Sequence, residues 1–365
     1  MIIRDIGILG MGAWEGEVVD NDFFGQKYRE GAQVKDPYRG RRADDGSVRI
    51  SGMEFTADKY PRALAAIEEA FRDPFRGTRR RRYFPADLRV SDAESDAARR
   101  ALDDAGVSAS AIDALLVQSF LPDELQPKNA ALIANNLGIT RAPAWEIDSI
   151  CNSAITQLTV ASSLILSGLA ERVLCVQSCA YSRVTDRGSS STVAEADMAT
   201  AFVVGRVPGT SFAASWRTDG RLHAAIRLEW RAPTGAARRW WERSSEQLLI
   251  GFEQELQQRV LGELADYARL VCGEALERAE MKMDEVDLFI AHQPMAWNKA
   301  FLEDVLGLRD GVAYDTFEEY ASVNSAGIPV SLLHAIREGR VRRGSKVLLF
   351  GPAAGYTYAA AAIRW

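Results

Sequence analysis

A cysteine that follows a strand-like segment and opens a helix is the first residue to weigh for chemistry. In Ala144-Trp145-Glu146-Ile147-Asp148-Ser149-Ile150-Cys151-Asn152-Ser153-Ala154 an extended run gives way to small and polar residues. The next stretch, Ile155-Thr156-Gln157-Leu158-Thr159-Val160-Ala161-Ser162-Ser163-Leu164, is apolar around most of its circumference and reads as a buried helix. Cys151 therefore sits at or just before a helix N-terminus. Unpaired N–H groups and the helix dipole there favour an anion, so the expectation is a stabilised thiolate and an activated nucleophile. Taken alone, a cysteine beside a helix is more often a packing residue.

His292 shifts that balance. It follows the strand Val286-Asp287-Leu288-Phe289-Ile290-Ala291 and opens His292-Gln293-Pro294, at a strand end where α/β proteins tend to place functional groups. The chain has 3 histidines. His334 falls inside a helical pattern and reads as structural, and His223 falls in a loop or strand edge. His292 is thus the best base for a cysteine nucleophile. A third segment, Tyr320-Ala321-Ser322-Val323-Asn324-Ser325-Ala326-Gly327-Ile328-Pro329, is small and polar and leads into a helix. A fourth, Phe350-Gly351-Pro352-Ala353-Ala354-Gly355-Tyr356-Thr357-Tyr358, places a glycine-containing turn between two apolar strands. Such a turn can aim a backbone N–H at a developing oxyanion, or be a plain hairpin.

Short apolar strands alternating with longer helical patterns must position these residues. Strand-like runs are Ile6–Leu9, Ala114–Val117, Val173–Val176, Leu288–Ile290 and Val347–Phe350. Helical runs are Glu94–Ala105, Ala154–Leu166, Ser245–Glu277 and Ser331–Glu338. The alternation predicts α/β layers with largely parallel strands. Residues from about Gly25 to Arg82 break the rhythm with charge, Gly and Pro, and read as a long excursion with one helix, about Tyr60–Phe71. The run Arg79–Arg82 that closes it is either a solvated charge run or a landing site for a phosphate-bearing carrier.

Composition excludes several classes. A chain of 365 residues at 47% hydrophobic content can bury a large core, and a net charge of −6 argues against nucleic acid as the main partner. The 4 cysteines, Cys151, Cys175, Cys179 and Cys272, form no CxxC pair and have no nearby histidines. That spacing predicts neither a metal site nor a disulfide framework and fits a reducing cytoplasm. No apolar run suits a signal peptide or a membrane span. The expectation is a cytoplasmic protein with no membrane association.

Together the four segments, in this order, resemble the ketoacyl synthase III branch of the thiolase superfamily. Cys151 matches the nucleophile, His292 in His-Gln-Pro matches the family's His-Gln-Ala histidine, the segment ending Ile328-Pro329 matches the asparagine loop, and Gly351–Gly355 matches the glycine-rich turn. Glu195-Ala196-Asp197-Met198-Ala199 is similar to the family's Gly-Asp-Gly-Ala segment, and Gly77-Thr78-Arg79 to its Arg-rich segment at the tunnel mouth. The resemblance implies an α/β, thiolase-like five-layer αβαβα fold of two related halves. These are residues 1–205 with the nucleophile and an insertion at about 25–72, and residues 206–365 with the histidine and third catalytic position. It further implies a homodimer and a pantetheine tunnel. The implied oxyanion hole is formed by the backbone N–H groups of Cys151 and Ala354, and the substrate-binding residues are Gln126, Gly355, Arg79 and Lys299. No metal or separate cofactor is implied, the acyl-CoA or phosphopantetheine-bound acyl group being substrate.

One position departs from the family. Counting back from Ile328-Pro329, the place of the family's catalytic asparagine falls on Ser322, with Asn324 two residues later. In decarboxylating relatives, His and Asn together stabilise a malonyl-derived enolate. A serine hydroxyl is shorter and differently placed than a carboxamide, and loss of one such donor typically costs about a hundred- to a thousandfold in rate. The leading expectation is therefore acyl transfer from an acyl carrier protein or CoA thioester, through Cys151, to a hydroxyl or amine of a small-molecule acceptor, such as a sugar in natural-product (antibiotic or polyketide) biosynthesis. The alternatives are a decarboxylating 3-oxoacyl synthase III using Asn324 from a shifted loop, and a non-catalytic partner subunit, against which the retention of both Cys151 and His292 argues. Gln126, where the family closes the partner's acyl pocket with an apolar residue, suggests an acyl group with polar substituents.

Overall fold

The structure, a computed structural model, describes residues 2–25, 41–185, 190–231, 237–238 and 247–365. Its frame is a sheet of eight strands: β1 (Ile3–Ala13), β2 (Ala114–Phe120), β3 (Ala144–Glu146), β4 (Val173–Ala180), β5 (Asp197–Thr218), β6 (Leu288–Ala291), β7 (Lys346–Ala353) and β8 (Thr357–Arg364). The order is β6-β7-β8-β5-β4-β2-β3, with β1 also pairing β5. β2 runs parallel to β3 and β4, and β6 parallel to β7, while every pairing of β5 is antiparallel. The sheet is thus mixed rather than largely parallel.

The long strand β5 joins the two halves of the sheet. Its first part, Asp197–Val204, pairs with β4, and its last, Ser211–Thr218, pairs with β8. Residue 205, the expected boundary, falls in this strand where the partner changes.

Among the described residues, seven α-helices of eight residues or more carry the layers: α1 (Pro61–Arg72), α2 (Val90–Ala105), α3 (Ala130–Leu137), α4 (Ser153–Leu166), α5 (Gln254–Arg278), α6 (Asn298–Leu306) and α7 (Gly327–Arg337). Residues of α4 and α7, among them Ile155, Leu158, Val330 and Leu332, share one apolar cluster with residues from both halves of the sheet. α2 and α3 cover the outer side of one half, and α5 and α6 that of the other. This gives the expected α/β, thiolase-like succession of helix and sheet layers. The fully buried run Ala359–Ala362 in β8 has side chains small enough to let helices approach from both faces.

Two expectations need correction. The helix expected over 245–277 starts later: Gln247–Phe252 is a strand paired with Ile226–Arg231, and α5 begins at Gln254. Ser245 lies outside the described residues. The excursion after Gly25 carries more than one helix, since Arg41–Arg42, Val48–Ile50 and Met53–Phe55 form a small sheet, and Val18–Asp20 pairs with Arg80–Arg82. Its residues 26–40 lie outside the described part. α1 is anchored to the body by Arg62, which donates to the Leu308 carbonyl at 2.9 Å and pairs with Asp310 at 2.6 Å.

Candidate active site

Cys151 stands on the turn between β3 and α4, in a short 3-10 segment (Ile150–Asn152) that runs directly into the helix. Ile150 holds φ +50°, costly for a β-branched residue, so the surrounding structure must impose the turn. Asp148 accepts from the Ile150 N–H at 2.8 Å, and Ser153 Oγ donates to the Ile150 carbonyl at 2.7 Å. The helix start is thus as the sequence predicts, but the expected thiolate is not. Burial pushes the Cys151 thiol up to about 12, against hydrogen bonds from the backbone N–H groups of Ala354 and Cys151 itself, which favour the anion. Loss of hydration outweighs the local dipole, and the resting group is a neutral thiol.

The Ala354 N–H reaches the sulfur because the chain turns sharply between β7 and β8, with Gly355 at φ +89°. Asn152 fixes this turn against the nucleophile: its Nδ2 donates to the carbonyls of Gly351 (3.3 Å) and Thr357 (3.0 Å). Two backbone N–H groups, those of Cys151 and Ala354, therefore converge beside Sγ.

His292 lies just past β6. Its N–H donates to the Phe350 carbonyl at 2.9 Å, and its carbonyl accepts from Asn298 Nδ2 at 2.9 Å. Burial lowers the imidazole to about 4, with a hydrogen bond to the Asn324 backbone acting the other way. The ring is accordingly neutral near pH 7, and its Nδ1 has no hydrogen-bond partner among the described residues. A neutral, buried imidazole can take a proton from a thiol or a hydroxyl.

Cys151 and His292 line one cavity of about 690 Å³, together with Ser322, Asn324 and Ala354. Both Ser322 and Asn324 thus face it. Asn324 holds φ +47°, donates through Nδ2 to the Tyr181 hydroxyl at 3.1 Å, and leaves Oδ1 without a partner among the described residues. Asp148, Glu195 and Lys128 add charge to the lining. The far wall is apolar, built from Leu228, Ile250 and Phe252 of the paired strands and Val260, Leu261 and Leu264 of α5.

Four expected substrate-binding residues lie outside this lining. Gln126 is exposed, before a cis Pro127. Gly355 serves the turn rather than the wall. Arg79 pairs with Glu318 at 2.5 Å and Lys299 with Asp315 at 3.3 Å. The Arg79–Arg82 run is neither wholly solvated nor free: Arg80 pairs with Glu319, Arg82 stacks over the Tyr320 ring, and Arg81 is fully buried. His334 is structural, its Nε2 2.7 Å from the Tyr320 hydroxyl, while His223 is exposed. Sequence reasoning missed Asn152 and Tyr181. Adjacency to Cys151 could have flagged the first; nothing local marks the second.

Sheet, layers and cavity together define a thiolase-type scaffold around a cysteine–histidine pair. The model for 3-oxoacyl-[acyl-carrier-protein] synthase III matches residues 145–220, and the model for the C-terminal part of that family matches residues 276–365. A β-ketoacyl-[acyl-carrier-protein] synthase III of Bordetella petrii is 29% identical over 322 residues, covering 86% of this chain and 93% of that one. One of Solibacter usitatus is 28% identical over 298 residues, covering 79% and 88%. Among solved structures, β-ketoacyl-[acyl-carrier-protein] synthase III of Thermus thermophilus superposes with TM-score 0.74 at 25% identity, over 98% of this chain and 99% of that one. A variant of OleA from Xanthomonas campestris superposes with TM-score 0.76 at 18% identity over all of both chains. The chain is thus ketoacyl-synthase-III-like in sequence and thiolase-like in fold, and it is an acyltransferase.

Proposed function

We propose that the protein carries an acyl group from a CoA or acyl-carrier thioester on Cys151 and delivers it to a hydroxyl or amine of a small acceptor, such as a sugar in natural-product biosynthesis. Neutral His292 takes the thiol proton as Sγ attacks the thioester carbonyl. The tetrahedral oxyanion accepts hydrogen bonds from the N–H groups of Cys151 and Ala354. The donor's thiol leaves with the proton held on His292. In the second half, His292 deprotonates the acceptor as it attacks the Cys151 thioester, and the proton passes to the departing sulfur. No step needs a carbanion.

One observation carries the choice of a heteroatom acceptor: the cavity-lining residue at the place of the family's asparagine is Ser322, a hydroxyl in place of a carboxamide. Asn324, two residues on, is tied to the Tyr181 hydroxyl through one of its two amide N–H groups, and its Oδ1, without a partner among the described residues, is left as an acceptor. An acceptor oxygen suits the O–H or N–H of an incoming nucleophile and opposes an enolate. A second reading, decarboxylative condensation, draws support from Asn324 lining the cavity. The proposal includes a homodimer. β3 is an edge strand, and its Trp145 is 43% exposed, a combination that pairing with a second copy would cover.

Mass spectrometry after incubation with a panel of acyl thioesters tests the reading: an acyl increment on Cys151, discharged by an added alcohol or amine, is expected. Release of CO₂ from a malonyl thioester at a rate matching turnover overturns it in favour of condensation. Absence of any increment across the panel overturns both.

A further inference from the structure

Tyr181 follows β4 and lines the same cavity as Cys151 and His292. Its ring packs edge-on against Phe120, with centroids 5.3 Å apart, so the phenol is held from one side by apolar contact. Its hydroxyl accepts from Asn324 Nδ2 at 3.1 Å, across 143 residues of sequence. Asn324 sits at φ +47°, in the left-handed region, and its backbone hydrogen-bonds the His292 ring. The residues on either side are also constrained. Ser322 bridges Glu195 through Ala196 N–H and the Ala194 carbonyl, and Ser325 Oγ donates to the Ser178 carbonyl at 3.0 Å.

We infer that Tyr181 is a positioning residue: its hydroxyl anchors the Asn324 side chain, and thereby holds the left-handed Asn324 backbone in the conformation that hydrogen-bonds His292. This role of Tyr181 rests on His292 being the base of the proposed function. An L-residue leaves φ +47° unless something over-determines it, and among the described residues the amide–phenol bond is the side-chain hydrogen bond that Asn324 makes. Glycine adopts that φ without penalty and needs no anchor. Burial holds the phenol well above its ordinary range, so it remains a neutral partner throughout the working pH range.

Alkylation of Cys151 by iodoacetamide tests the inference without an acyl donor. The S–C bond forms, iodide leaves, and the thiol proton passes to His292, so at neutral pH the rate reports on the base. It is followed by the mass of the Cys151 peptide, because Cys175, Cys179 and Cys272 are fully buried. Tyr181→Phe is expected to slow alkylation about tenfold, and adding Asn324→Gly to that variant to recover most of the loss. Labelling of Tyr181→Phe at the wild-type rate overturns the inference. So does a loss that Asn324→Gly fails to recover, because Tyr181 then acts on the cavity directly. Should Tyr181→Phe not fold, the comparison of Asn324→Gly with Asn324→Ala decides: the glycine variant is expected to react about fivefold faster, and equal rates overturn the inference. Because iodoacetamide needs no thioester, failure of acylation counts against the proposed function alone.

Discussion

Asn152 and Gly351 meet where the nucleophile turn touches the β7–β8 turn: Asn152 Nδ2 donates to the Gly351 carbonyl, and a Cβ on Gly351 would lie 2.8 Å from Asn152 Cβ. The residue next to Cys151 thus sets the distance between its sulfur and the Ala354 N–H. Gly351→Ala forces the two turns apart. The expected outcome is a loss of about 1–3 kcal/mol in stability, read as a lower denaturant midpoint at unchanged slope. Acylation of Cys151 should fall by at least about tenfold as the oxyanion donors move. Acylation at the wild-type rate would separate the Ala354 N–H from the oxyanion.

The His292 imidazole, lowered to about 4 by burial, makes a pH prediction of definite sign. In the unfolded chain the same ring takes a proton near pH 6.5. Between those values the unfolded state binds more protons than the folded one, so the stability due to His292 is full above about 6.5 and is lost as pH falls towards 4. His292→Gln should flatten that part of the stability–pH curve. Acylation should likewise keep its base form well below pH 6, and an acid limb centred near 6.5 would place His292 in contact with water.

Cys151, His292 and the glycine turn were legible because each is marked by its immediate neighbours: a strand before, a helix or turn after. What escaped is set by contacts distant in sequence. The apolar run Leu248-Leu249-Ile250 suits a helix or a strand, and pairing with Ile226–Arg231 decides for the strand. The thiol's resting state escaped for the same reason. The helix dipole can be inferred from a local pattern, whereas the burial that outweighs it is contributed by walls brought in from both halves of the chain. Tyr181 had no sequence mark at all, since its partner Asn324 belongs to another segment.

Within the arginine run, neighbours should behave oppositely. Arg81 is fully buried; it donates to Asn21 Oδ1 at 2.9 Å and the Val193 carbonyl at 2.6 Å, lies over the Phe24 ring, and is lowered to about 10 by burial. Arg79 has a side chain 77% exposed, paired with a half-exposed Glu318. Arg81→Ala is expected to cost about 2–4 kcal/mol, since Asn21 and the Val193 carbonyl lose their donor. Arg79→Ala should cost under about 1 kcal/mol. Urea denaturation of the two variants checks both, and equal losses would mean that the run acts as a surface charge patch.

Ser322 gives the sharpest test of the chemistry. Its backbone is fixed on both sides, its N–H donating to the Ala194 carbonyl at 2.9 Å and its carbonyl accepting from Ala196 at 3.0 Å, so a longer side chain there must project into the cavity it already lines. Ser322→Asn therefore puts a carboxamide at the place where the family carries its asparagine, in the cavity that His292 also lines. The expected outcome is a rise of at least about tenfold in CO₂ release from a malonyl thioester, within the hundred- to thousandfold that one such donor is typically worth, with Cys151 acylation little changed. The same substitution in a Tyr181→Phe background, where Asn324 is loosened, should release less. If Ser322→Asn leaves CO₂ release at the background level, the residue that meets the thioester carbonyl is not at position 322, and the heteroatom acceptor loses its main support.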